Sequence, residues 1–176
     1  MFHIKDNPRS KTVKILIIHA PQGNIKEILN QTEKKLESVY ETVNFEVWNH
    51  TGMQFTKADI AKTEADMLLT FDLAGFEQST LMGGLAYNLV DCKQIHILLH
   101  DNLPNESCLS KQLSIAMFFY CAGVGTLERL QAAYPDIPYL KELGDWKREN
   151  TAAAANENAE ILCDAIREVA EICHIR

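Results

Sequence analysis

The chain has 176 residues with a net charge of −7, and 47% of them are hydrophobic and 23% charged. That length gives one domain over residues 1–176 with a single sizeable core, and the balance excludes long disorder, collagen-like repeats and a disulfide miniprotein. The acidic excess, with no cluster of Lys or Arg, argues against nucleic acid and an anionic membrane as partners, because both are bound through basic patches.

Residues 1–11 read as an N-terminal extension whose charges leave no apolar core for a secretory signal. The run from Thr12 to His19 is β-branched and apolar, the mark of a buried strand, and it ends in the turn sequence Pro21-Gln22-Gly23-Asn24. Ile25, Ile28, Leu29, Leu36 and Val39 then recur at helical spacing. Residues 44–50 alternate apolar and polar as a second strand, and Thr56 with Asp59 forms a weak capping box for a short helix. Residues 65–72 are the third apolar run, broken at Gly75 before a helical pattern over 77–90. Residues 93–100 are the fourth, followed by a polar loop and a short helix around 107–113. Residues 114–121 are the fifth, residues 126–134 a helix, and residues 137–140 a short sixth strand held at an edge by Pro138. Residues 149–175 form a long C-terminal helix with Ile161, Leu162, Ala165, Ile166, Val169 and Ile172 on one face.

Strands that are continuous apolar runs, alternating with helices, predict a three-layer Rossmann-like α/β domain with a mainly parallel sheet of five or six strands. The expected strand order is 3-2-1-4-5-6 or a close relative. The half of the tail helix from Ala159 onward is expected to cover the sheet, while the small residues upstream pack closely or project into solvent. The same stripe offers a surface for a homodimer. No apolar run approaches the ~20 residues of a membrane span, so a cytoplasmic location is expected. The five cysteines, Cys92, Cys108, Cys121, Cys163 and Cys173, contain no Cys-x-x-Cys pair and read as reduced, inert thiols.

Ligands of open parallel sheets bind outside the carboxyl ends of the strands. Here those ends are polar throughout: His19, Asn49-His50, Asp72, His100-Asp101 and Tyr120-Cys121. The candidate catalytic residues are therefore Asp72, as a general base or hydroxyl-orienting carboxylate, with His19 and His100. Gln22, Gly23 and Asn24 form the natural anion pocket before the first helix, and Gly75, Glu77 and Asp101 extend the same rim. Gly125 and Thr126 open the helix after strand five, where backbone amides can also cradle a phosphate. His19, His50, Asp72 and His100 could each ligate a metal, but none lies at a metal-motif spacing, so no metal site is assigned. Neither G-x-G-x-x-G nor a P-loop is present, which argues against a nicotinamide or flavin enzyme and names no cofactor.

From residue 12 to residue 143 the layout resembles the amino-terminal Rossmann-like half of a GT-B glycosyltransferase. The resemblance is carried by element order, by residues 65–72 and by the strand-helix-strand run through Phe118, Leu127 and Tyr139. It implies at most an acceptor-binding half, a degenerate relative or a piece of a longer chain, since in that family a second Rossmann half binds the sugar nucleotide. A narrower likeness joins Gly123-x-Gly125-Thr126-Leu127-Glu128 to the P-G-G-x-G-T-x-x-E loop of the cytokinin-activating phosphoribohydrolases. Cys121 and Ala122 replace the first Pro-Gly of that loop, and Arg129 stands where its catalytic Glu is expected.

Three function classes follow. The first is a small-molecule-binding domain, glycosyltransferase-like in its finer form, taking a sugar, nucleotide or phosphorylated ligand at the strand ends. The second is a phosphoribohydrolase-like enzyme centred on residues 123–128. The third is a non-catalytic interaction domain that docks through its long helix.

Overall fold

A computed structural model describes residues 12–19, 23–49, 57–72, 92–100 and 117–173. The elements in chain order are β1 (Thr12–His19), α1 (Ile25–Leu36), β2 (Thr42–Asn49), α2 (Lys57–Lys62), β3 (Met67–Phe71), β4 (Lys93–Leu98), β5 (Met117–Cys121), α3 (Val124–Ala133), β6 (Leu140–Glu142) and α4 (Ala152–Ile172). All six strands are parallel in one sheet. The predicted helices over 77–90 and 107–113, and residues 114–116 of the fifth strand, lie outside the described residues.

The strand order is β2-β1-β3-β4-β5-β6, which corrects the expected 3-2-1-4-5-6. Burial accounts for the difference. Every residue of β3 is buried, so it needs neighbours on both sides, whereas β2 is exposed or half-buried at seven of its eight positions and suits an edge. β1 therefore pairs with both, Ile17 standing opposite Val47 on one side and Leu69 on the other. The chain reverses direction across the sheet between β1 and β3, which opens a crevice at their carboxyl ends.

Alternating residues of the strands feed two cores. Val13, Ile15, Ile17, Leu69 and Ile97 face α1 and α4, while Leu16, Ile18, Leu68, Leu98 and Phe119 face Ile60 of α2 and Leu130 of α3. The result is three layers. Thr70, Gln94 and His96 are also fully buried. His96 Nδ1 pairs with Thr70 Oγ1 at 2.7 Å and Nε2 with Gln94 Oε1 at 3.0 Å. The Gln94 carbonyl can only accept, so the proton sits on Nε2 and the Thr70 hydroxyl donates to Nδ1.

Thr151 caps α4 by accepting from the Ala154 N–H at 3.1 Å. Leu162, Ile166 and Val169 are fully buried, each worth roughly 1.5–3 kcal/mol against exposure. Of the two alternatives for its upstream part, close packing holds, because Ala154, Ala155, Asn158 and Ala159 are buried. One expectation for this helix is corrected: Ile172 lies 47% exposed off the stripe. The sixth strand is also corrected, from 137–140 to Leu140–Glu142. Pro138 lacks an N–H and restrains the residue before it, so ladder pairing starts beyond it. Among the described residues no helix is long and apolar enough to cross a membrane.

Glu168 of α4 clasps the β5–β6 edge. Its Oε1 accepts from the hydroxyls of Tyr120 at 2.6 Å and Tyr139 at 2.5 Å, and its Oε2 from Lys141 Nζ at 2.7 Å. Burial raises the pKa of this carboxyl, but the bonds from Lys141, Tyr120 and Tyr139 outweigh it and hold the value at about 2. In the unfolded chain the group takes up its proton at the higher, ordinary carboxylate value. The clasp is therefore fully stabilising above that value and is lost as the pH falls toward about 2. Acid titrations followed by circular dichroism should show Glu168→Gln with a shallower loss of melting temperature below pH 4.5 than the parent.

Candidate functional site

Asp72 closes β3 in the left-handed region, with φ 51°, a conformation that aspartate tolerates better than most residues. From there it reaches across to β4. Its N–H donates to the Ile97 carbonyl at 2.7 Å, and its Oδ1 accepts from the N–H groups of Leu99 at 2.8 Å and His100 at 3.1 Å. Its Oδ2 takes a third bond, from His100 Nδ1 at 2.7 Å. A carboxylate holding three donors orients its neighbour. Nδ1 of His100 carries the proton, and Nε2 presents its lone pair as a hydrogen-bond acceptor or base.

The first turn of α1 lies beside this pair. Its leading N–H groups have no carbonyl within the helix to bond to, and the Asn24 side chain does not cap them. That amide instead donates to the Thr151 carbonyl at 3.3 Å, tying the start of α1 to the start of α4. Among the described residues a Cβ at Gly23 would meet only the Asn150 side chain, at 3.9 Å, and the Gly23 backbone is not left-handed.

The loop before α4 supplies two cations that sequence reasoning missed, Lys147 and Arg148. Arg148 Nη2 donates to the Leu99 carbonyl at 2.6 Å, and Lys147 pairs with Asp145. Asn158, 1% exposed in the middle of α4, fixes this loop. Its Oδ1 accepts from the Lys147 N–H at 2.7 Å, and its Nδ2 donates to the Lys147 carbonyl at 2.8 Å. The sequence does hold a signal, since an asparagine inside the small-residue stripe of an amphipathic helix needs a buried polar partner. Gly23, Asn24, His100, Lys147 and Arg148 thus line one cleft of about 140 Å³, with Trp146 in its wall.

His19, 8% exposed, ends β1 on the same rim but opens elsewhere. With Gly23, Ile25, Leu29, Val47 and Asn49 it lines a groove of about 440 Å³ along the β1–β2 edge. Gly125 and Thr126 lie in the first turn of α3, Gly125 in open space and Thr126 buried, and neither lines the cleft or the groove. Gln22, Gly75, Glu77 and Asp101 lie outside the described residues, as does His50.

Burial pushes the Cys121 thiol up to about 12 and that of Cys163 to about 11, which keeps both as unreactive thiols at neutral pH. Among the described residues no group of three His, Cys, Asp or Glu side chains could hold a metal ion. No protein-family model matches the chain, and no curated protein matches it. The molecule is thus defined by its Rossmann-like α/β architecture and by its rim.

Proposed function

We propose that the protein binds a phosphorylated small molecule of the sugar or nucleotide class at the carboxyl ends of β1, β3 and β4. One observation carries this reading: the amino end of α1, the Arg148 and Lys147 cations and the oriented imidazole of His100 line a single cleft. Helix dipole, exposed amides and guanidinium all favour an anion there, and a cleft of about 140 Å³ suits a phosphate group. In the finer, glycosyltransferase-like form of the proposal, His100 Nε2 takes the proton of an acceptor hydroxyl as that oxygen bonds the anomeric carbon of a phosphorylated sugar, whose bond to the phosphate oxygen breaks so that the phosphate leaves with the electron pair. Asp72 then stabilises the imidazolium.

Thermal denaturation with ribose 5-phosphate, glucose 1-phosphate and neutral glucose tests the reading. Saturating phosphorylated ligand should raise the melting temperature by roughly 5–10 °C, neutral glucose should not, and Arg148→Ala should remove the rise. Equal responses to the phosphorylated and neutral sugars, or an undiminished response in the Arg148 variant, contradict it.

A further inference from the structure

We infer that the groove beside His19 is a nucleobase subsite, so that the ligand of the cleft is a nucleoside monophosphate; this rests on the anion reading of the cleft. The groove holds about 440 Å³, within the range of small-molecule sites, whereas the cleft alone accommodates little more than the anionic group. The two cavities share Gly23 and Ile25 and so meet across the start of α1. Gly23 adds no side chain at that junction, its backbone is not left-handed, and among the described residues a Cβ there would meet nothing nearer than 3.9 Å. Its absent side chain leaves room for a ligand to pass over the backbone from one cavity to the other.

The groove is built for a flat, polar-edged ring. Ile25, Leu29 and Val47 give it aliphatic walls, and Val47 stays 44% exposed on the outer strand of the sheet. His19, Asn30 and Asn49 line the same space. The imidazole and the two carboxamides together carry donors and acceptors, which matches the mixed edge of a purine or pyrimidine and the hydroxyls of its ribose. A hydrocarbon chain would use the walls and none of those donors and acceptors. A bare sugar would use the polar groups and leave Val47 uncovered.

Calorimetric titration of the full chain with adenosine 5′-monophosphate, uridine 5′-monophosphate, ribose 5-phosphate, adenosine and inorganic phosphate tests the assignment. At least one nucleotide should bind about tenfold or more tightly than ribose 5-phosphate, because only the nucleotide covers the aliphatic walls. Val47→Glu should erase that advantage while leaving ribose 5-phosphate binding unchanged. Photolabelling of the unmodified chain with 8-azidoadenosine 5′-monophosphate gives a readout independent of the variant's folding, and the label should fall on the peptide holding Val47 and Asn49. Equal affinity for the nucleotides and ribose 5-phosphate, or a label elsewhere, overturns the base subsite and leaves the anion cleft standing. Adenosine binding without any phosphate binding overturns the cleft reading and with it the joined ligand. No response to any of the five overturns both.

Discussion

Lowering the pH from 7 to 5 should cost the protein about 2 kcal/mol of stability through His96 alone. Burial holds this imidazole's pKa down at about 3, against 6.5 for the ordinary group, so the fold keeps it neutral. Between those two values the unfolded chain binds the proton and the native state does not. Stability is therefore fully present above 6.5 and is lost at up to about 1.4 kcal/mol per pH unit as the pH falls toward about 3. Both ring nitrogens are already engaged. Nδ1 already receives the Thr70 hydroxyl, Nε2 already donates to Gln94, and the Phe119 ring lies with its centroid 5.1 Å away. Urea unfolding at pH 7 and pH 5 measures the slope. His96→Leu should be less stable at pH 7, because Thr70 and Gln94 each lose a bond inside the core, and should lack this part of the slope. An identical slope in the variant would assign the acid sensitivity to another group.

Asn158→Ala should destabilise the protein by about 2–4 kcal/mol and weaken phosphate binding by about tenfold, because both effects run through one loop. The variant strips the Lys147 N–H and carbonyl of their buried partner, and Arg148, the next residue, loses the anchor that holds its guanidinium against Leu99. Leu162→Ala is the control. It lies one turn further along the same helix face and should cost about 2–5 kcal/mol without touching the loop. If the two variants weaken phosphate binding equally, Asn158 contributes only stability. If Asn158→Ala alone does so, it positions the site.

The layers of the fold were legible because β1, β3 and β5 are dense apolar runs, and such runs must lie inside a covered parallel sheet. The strand order was less so, although its clue was present: residues 44–50 alternate while residues 65–72 do not, and an alternating strand belongs at an edge. The default order hid that clue. The geometry of the candidate site was half legible. Polar strand ends located Asp72, His100 and His19, but the roles of the first two depend on a left-handed backbone and a contact spanning 28 residues. Spacing along the chain encodes neither. Arg148 was missed because its charge sits in an irregular stretch, where no periodicity says which way a side chain faces; Asn158, 11 residues from Lys147, helps to give that stretch its shape.

The packing of α4 against α1 and the inner face of the sheet also orders events during synthesis. β1 leaves the ribosome about 150 residues before α4 is complete, an interval of roughly 8–30 s at about 5–20 residues per second. Through that interval Val13, Ile15 and Ile17 have α1 beside them but not the helix that completes their cover. That apolar face can therefore be covered in full only at the end of translation. The roof closes only with the arrival of Leu162, Ile166 and Val169.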